Sequence, residues 1–156
     1  MRKRIINPAP QATATPGQDW LNPEGLIEVE ITSEDAAHPI EAALLPATEP
    51  GWRASEPGKQ TIRLIFASPQ LLRRIRLDFV ETEIERTQEY VLSWSPDGGQ
   101  SFHEIIRQQW NFGPQASSET EDHQVELPAV TVLELGINPD ISGKPAFASL
   151  RQWQLA

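Results

Sequence analysis

Residues 88–112 contain two alternating segments around a strong turn sequence, and this pattern constrains the fold more than any other part of the chain. Before the turn, three large apolar residues are spaced two apart and so share one face of an extended chain: Tyr90, Leu92 and Trp94. The sequence SPDGG follows at residues 95–99, where proline pre-sets φ and a glycine tolerates positive φ. The segment therefore predicts a β-hairpin in an all-β domain, with Gly98 or Gly99 at positive φ.

The same alternation recurs along most of the chain. Fourteen prolines and nine glycines are spread through the sequence, which favours short strands and turns over long helices. About eight strands are predicted, at residues 26–32, 61–66, 72–80, 88–95, 102–110, 123–127, 130–137 and 147–155. At most a short helix is expected, at 39–45. We expect one jelly-roll β-sandwich over residues 20–156, preceded by an N-terminal arm at 1–19.

The composition excludes several classes of partner. The formal net charge is −9, from 22 acidic and 13 basic residues, so the average field repels nucleic acid. No segment approaches the ~20 apolar residues of a membrane-spanning helix, and no membrane partner is expected. The absence of cysteine excludes disulfides and thiolate metal sites. The basic residues at 2–4 are not followed by a secretory apolar segment, so a cytoplasmic location is expected.

No arrangement of residues predicts catalysis. His38, His103 and His123 are scattered and match no metal spacing. The Gly-x-Ser-x-Gly motif that forms the nucleophile elbow of serine hydrolases does not occur. No pair of carboxylates is singled out by its position. We therefore expect a protein that is not an enzyme and that uses no metal and no cofactor.

The long connections are expected to share one end of the sandwich. If successive strands alternate in direction, loops 33–60, 81–87, 111–122 and 138–146 emerge together, and the short connections emerge at the other end. Long loops on a rigid scaffold often carry function. The candidate ligand-binding residues at this end are Trp52, Arg53, Arg86, Trp110 and Phe112.

Each candidate has an alternative interpretation. Trp52 can stack on a ligand or plug the end of the core, because burying a tryptophan is worth roughly 4–6 kcal/mol. Arg86 can reach a ligand or balance its acidic neighbours, and Trp110 can be a core residue. The loop carboxylates can form a cation site or remain solvated charges: Glu81, Glu83, Glu85, Glu119, Glu121 and Asp122.

The order of motifs resembles the discoidin, or coagulation factor 5/8 type C, family of galactose-binding-like domains. The similarity rests on IEAAL at 40–44, GWRAS at 51–55, QTIRLIF at 60–66, the apolar strand at 72–79 and YVLSWSPDGG at 90–99. It implies a jelly-roll fold and a non-catalytic binding module for glycans, lipid headgroups or proteins. Family members often carry a calcium-holding loop where this chain has ALLP at 43–46, so no calcium is expected there.

The leading functional hypothesis is a carbohydrate-binding module that uses the loop end of the sandwich. The alternative is an intracellular protein–protein interaction domain. Trp52 distinguishes the two hypotheses, since an exposed ring beside a groove favours a sugar, and a buried ring beneath a flat apolar end favours a protein partner.

Overall fold

Antiparallel strands dominate the computed structural model, which describes residues 20–45 and 51–156. The elements are β1 (Ile27–Ile31), α1 (Glu41–Leu44), β2 (Trp52–Arg53), β3 (Gln60–Val80), β4 (Arg86–Ser95), β5 (His103–Phe112), β6 (Ser118–Asn138), β7 (Ser149–Leu150) and β8 (Gln152–Leu155). The predicted all-β fold with about eight strands and little helix is confirmed. The predicted arm at 1–19 lies outside the described residues. Within those residues, no helix has the length and apolarity needed to span a membrane.

Strands β3 and β6 are longer than expected, because each joins two segments that the sequence suggested were separate strands. They pair with each other along almost their whole length, from Gln60↔Ile137 to Val80↔Ser118. The pairing register shifts three times between Ile65 and Arg74, around Pro69 and opposite Pro128. Proline lacks the N–H that a regular ladder needs, and bulges bend a strand. The two strands therefore form one ribbon that folds over, rather than two pairs joined by turns.

The folded ribbon supplies both sheets of the sandwich. The first half of β3 and the second half of β6 pair with each other and lie in a sheet with β1, β4 and β5, in the order β1-β3-β6-β4-β5. The second half of β3 pairs with the first half of β6 on one side and with β8 on the other. Alternate side chains of both sheets meet in the core, whose largest fully buried members are Trp52, Trp153, Tyr90, Phe79, Ile62, Leu64, Leu72, Ile75, Leu77, Leu92, Leu133 and Leu135.

Four loops lie at the same end of the sandwich, as the alternation of strand directions predicts. Residues 81–85 join β3 to β4 and residues 113–117 join β5 to β6, at the end marked by the pairs Val80↔Ser118 and Arg86↔Phe112. Residues 54–59 and 139–148 flank them, since the Gly58 amide donates to the Ala146 carbonyl and the Ile141 amide to the Thr87 carbonyl. We call residues 54–59, 81–85, 113–117 and 139–148 the loop rim.

The predicted hairpin is present. Strands β4 and β5 are antiparallel, and Gly98 and Gly99 have φ of 75° and 96°. Asp97 fixes the turn by accepting hydrogen bonds from the Ser101 amide at 2.9 Å and the Ser101 hydroxyl at 2.6 Å. Hydrogen bonds from Ser101 and then from Ser95 lower the pKa of Asp97 to about 2. The turn is thus held by the ionised side chain that the sequence places there.

Gly51 provides a test of how tightly β2 is seated on β7. Its φ is 92°, and a Cβ atom there would lie 2.8 Å from the Arg151 Cα and the Leu150 carbonyl oxygen. Gly51→Ala should therefore lower the free energy of unfolding by ~3–4 kcal/mol, through steric clash as well as backbone strain. Gly58→Ala is the matched control, because its φ is 93° but no described atom lies within 4 Å of the added Cβ; we expect ~1 kcal/mol there. Equal losses in urea denaturation would contradict the close approach.

Candidate functional site

Trp52 lies in the core, as the plug interpretation requires. Its side chain is 1% exposed, and its indole N–H donates to the Ser33 carbonyl at 3.1 Å. The ring presents no open face to solvent, so the structure places it among the groups that close this end of the sandwich. The buried state is the one that the sequence analysis associated with a protein partner rather than with sugar stacking.

Arg86 is buried as well, and it joins two of the rim loops. Its Nε donates to Glu81 Oε1 at 2.7 Å, and its Nη1 donates to the Pro139 carbonyl at 2.9 Å and to Gln88 Oε1 at 3.1 Å. Burial disfavours the Glu81 carboxylate, but Arg86 and backbone N–H groups outweigh that effect and lower the pKa of Glu81. Arg86 thus balances an acidic neighbour, which is its alternative interpretation, and does not reach the surface.

Phe112 packs on this ion pair, whereas Trp110 packs against the core. The Phe112 ring is buried, with the Arg86 Cζ 4.7 Å from its centroid. Trp110 is half-buried, and its indole N–H is enclosed without a hydrogen-bond partner among the described residues. Phe112 thus supports the ion pair from the interior.

A second buried carboxyl group extends the polar layer. Glu119 Oε1 accepts a hydrogen bond from the Gln88 amide at 3.4 Å, and Oε2 has no partner within the described part of the chain. Burial, followed by the neighbouring carboxylate of Glu121, raises the pKa of Glu119 to about 8. The raised pKa favours the neutral form of Glu119, because an ionised carboxylate is costly to bury.

Arg53 is the one predicted site residue whose charged group reaches the outer surface of the rim. It follows Trp52 in β2, so the two side chains point in opposite directions. The Arg53 side chain is 32% exposed; its Nη2 lies 3.6 Å from Glu83 Oε2, and Glu83 is 71% exposed. The Arg53 Cζ is 5.3 Å from the centroid of the half-buried Phe147 ring. A donor, an acceptor and an aromatic ring thus adjoin one another at the surface.

The segment before α1 completes this group. The Asp35 amide donates to the Arg53 carbonyl at 2.8 Å, and the Arg53 amide donates to the His38 carbonyl at 3.2 Å. The Asp35 carboxylate lies 3.3 Å from His38 Nδ1. A hydrogen bond from the Ala37 amide lowers the pKa of Asp35, with further contributions from His38 and Arg53. We call Asp35, His38, Arg53, Glu83 and Phe147 the Arg53 cluster.

The loop carboxylates do not gather into a cation site in the described part of the chain, where no three His, Asp or Glu side chains are placed to hold a metal ion. Glu81 pairs with Arg86, Glu83 with Arg53, and Asp122 with Arg74. We also expect no calcium to bind near residues 43–46. Residues 46–50 lie outside the described part of the chain, so this expectation stays a prediction.

The fold is similar to that of several solved carbohydrate-binding modules. A family 32 module from Clostridium perfringens, in complex with GalNAc-β-1,3-galactose, is similar with a TM-score of 0.60 at 19% identity, over 86% of this chain and 97% of that one. The family 32 module of AlyQ, in complex with 4,5-unsaturated mannuronic acid, gives a TM-score of 0.61 at 13% identity, over 84% and 95%. A chitosan-binding module from Paenibacillus sp. gives 0.60 at 15%, over 83% and 94%.

At these identities the likeness shows the fold alone. No protein-family model matches the sequence, and no curated protein matches it either. The ligands of these three neighbours differ in charge: one is a neutral disaccharide, one is a uronic acid, and one is chitosan, which carries amino groups. The fold by itself therefore does not determine which ligand is bound. The chain shares the jelly-roll β-sandwich of these modules.

The sequence nominates Arg53 but not most of its neighbours. Glu83 fits either a cation site or a solvated loop charge, His38 matches no metal spacing, and Phe147 falls at the start of a predicted strand. The usable signal was that Trp52-Arg53 lies in an irregular segment where alternation must place one side chain inward and the other outward. Nothing in the sequence indicates that residue 147 packs against residue 53, because that contact depends on the pairing of β2 with β7.

Trp52 should behave as a structural residue. Trp52→Ala removes a fully buried ring and leaves a cavity, so the free energy of unfolding should fall by ~3–5 kcal/mol. Trp52→Phe keeps much of the volume and should cost less, although it loses the bond to Ser33. Chemical denaturation followed by circular dichroism measures both changes. A loss below ~1 kcal/mol for the alanine variant would show that the ring is not a plug.

The raised pKa of Glu119 predicts a pH dependence of stability. The folded-state pKa of about 8 lies above the ordinary value of 4.5, so the neutral carboxyl contributes fully below that ordinary value. Its contribution declines as the pH rises and is lost once the pH exceeds 8. Relative to Glu119→Gln, the wild type should lose on the order of 2–4 kcal/mol between acid and alkaline pH. Glu126→Gln, an exposed change on the same strand, is the control; parallel stability curves for wild type and Glu119→Gln would contradict the assignment.

Proposed function

We propose that this chain is a non-catalytic carbohydrate-binding module whose binding surface is the Arg53 cluster. The observation that carries the proposal is the exposed contact of Arg53 with Glu83 and with the Phe147 ring at the loop rim. This arrangement offers hydrogen-bond donors, acceptors and an apolar ring edge within the span of a single sugar ring. A pyranose has hydroxyl groups that need both donors and acceptors, and C–H faces that pack on aromatic rings.

The surrounding structure suits a shallow, preformed site. Arg53 is held by backbone hydrogen bonds to Asp35 and His38 on one side. The loop that carries Glu83 is anchored by Arg86 through Glu81. A site that contacts one or two sugar rings should bind weakly, with a Kd of ~0.1–1 mM. The similar fold of modules solved with GalNAc-β-1,3-galactose and with unsaturated mannuronic acid supports the carbohydrate assignment.

A protein-binding function is the second candidate, and two observations favour it. Trp52 is buried, and the rim exposes two large apolar side chains, Ile84 at 45% and Ile141 at 46%. The two loops that carry them are in contact, since the Lys144 ammonium group donates to the Glu85 carbonyl at 3.1 Å. Exposed apolar groups on adjoining loops are typical of interaction surfaces.

Two truncations within the Arg53 cluster test the proposed function. Arg53→Ala and Phe147→Ala should each weaken glycan binding by ~10-fold or more, because each removes one of few contacts. Stability should change by only ~1 kcal/mol for Arg53→Ala, whose ion pair is solvent-exposed. Glycan-array screening followed by NMR titration of the wild type and both variants measures the effect.

The controls separate this surface from others. Arg107→Ala removes an exposed arginine from the outer face of β5, and Ile141→Ala removes an exposed apolar rim residue outside the Arg53 cluster. Neither should change glycan binding. If glycans fail to bind, and Ile84→Ala and Ile141→Ala abolish capture of a protein partner, the second candidate replaces the first.

A further inference from the structure

We propose that Glu83 makes the Arg53 cluster selective for uncharged sugars over sugars that carry a carboxylate, an inference that rests on the proposed function. Within the described residues, Glu83 is the rim residue whose carboxylate contacts the Arg53 guanidinium, with 3.6 Å between Nη2 and Oε2. The ligand class therefore depends on whether Arg53 is available as a free cation. Glu83 supplies a counter-charge 3.6 Å from the guanidinium, so part of the Arg53 charge is already balanced before a ligand binds.

The Arg53–Glu83 pair matches the hydrogen-bonding character of hydroxyl groups. The guanidinium can only donate and the carboxylate can only accept, whereas a hydroxyl both donates and accepts. One hydroxyl of a sugar can therefore accept from Arg53 while it, or its neighbour on the ring, donates to Glu83. A ligand carboxylate can satisfy only the donor, and it must compete with Glu83 to do so.

The local charge also opposes an anion. The Glu83 carboxylate contacts the Arg53 guanidinium. The Asp35 carboxylate lies near enough for the Arg53 charge to contribute to its lowered pKa, which is set chiefly by the Ala37 amide. The whole chain carries a formal charge of −9. An incoming uronate would meet repulsion from both carboxylates and from the long-range field of the protein.

Matched sugar pairs test the proposal directly. Methyl β-galactopyranoside and methyl β-galactopyranosiduronate differ only at C6, where the first has a hydroxymethyl group and the second a free carboxylate. The corresponding glucoside and glucosiduronate form a second pair. Each compound is titrated to about 50 mM, well above the ~0.1–1 mM Kd of a shallow site, and binding is followed by amide chemical shifts. The proteins are the wild type, Glu83→Gln and Glu85→Gln. Glu85→Gln removes the same charge from the same loop but leaves the contact between Arg53 and Glu83 in place.

We expect the ratio of the uronate Kd to the neutral-sugar Kd to change in Glu83→Gln and to stay nearly constant in Glu85→Gln. The wild type should bind the neutral member of a pair at least about fivefold more tightly than its uronate. Glu83→Gln should narrow this ratio by about threefold to fivefold, by freeing Arg53 and removing a negative charge, while Glu85→Gln should leave it within about twofold. Raising the salt concentration should also narrow the wild-type ratio, because the repulsion is screened.

Two outcomes overturn the proposal in distinguishable ways. If the wild type binds the uronates as tightly as the neutral sugars, or if Glu83→Gln and Glu85→Gln change the ratio equally, then Glu83 does not select the ligand, and the carbohydrate-binding function stands. If no sugar of either pair perturbs any amide of the loop rim or the Arg53 cluster, the proposed function itself fails, and the selectivity fails with it.

Discussion

The buried ion pair between Arg86 and Glu81 is the interaction on which the organisation of the loop rim depends. A guanidinium removed from water requires a close counter-ion and further hydrogen-bond acceptors, and here it has Glu81, Gln88 and the Pro139 carbonyl. Those partners come from three parts of the chain. Because removing one member of such a pair costs ~3–5 kcal/mol, the network holds loops 81–85 and 139–148 in fixed positions. Glu83 belongs to the first loop and Phe147 to the second, so the surface cluster inherits its geometry from the buried one.

The other side of the Arg53 cluster is fixed by apolar packing. Trp52 fills the core beneath β2, and the tight approach of Gly51 to Arg151 and Leu150 seats β2 against β7. Since neighbouring residues of a strand face opposite ways, burial of Trp52 turns Arg53 outward. The plug and the ligand-contact interpretations of this segment are therefore complementary: one residue closes the core and the next presents its guanidinium to solvent.

Local chemistry in the sequence predicted the strands and the central hairpin, because alternation and the SPDGG turn act over a few residues. The parity of strand directions also placed the long loops at one end. It did not show that Ser68-Pro69 and Pro128 bend one continuous ribbon, since a bend and a turn have the same local composition. The ligand-binding roles of the five candidate residues stay a prediction. The sequence could not show which of them are buried, because burial depends on distant contacts: Arg86 donates to the Pro139 carbonyl, and the Phe112 ring lies against Arg86. The cytoplasmic location stays a prediction.

The separation between scaffold and surface explains why a chain at 13–19% identity to its structural neighbours keeps their fold. The fold needs apolar residues at alternate positions of a bent ribbon, and many residue types satisfy that need. The rim needs specific charges in specific places, and it can change without disturbing the sheets. Burial and the neighbouring carboxylate of Glu121 raise the pKa of Glu119 and favour its neutral form, while Arg86 donates to the carboxylate of Glu81. The buried Arg86–Glu81 pair thus positions the loop that carries Glu83, the residue that supplies the counter-charge beside Arg53.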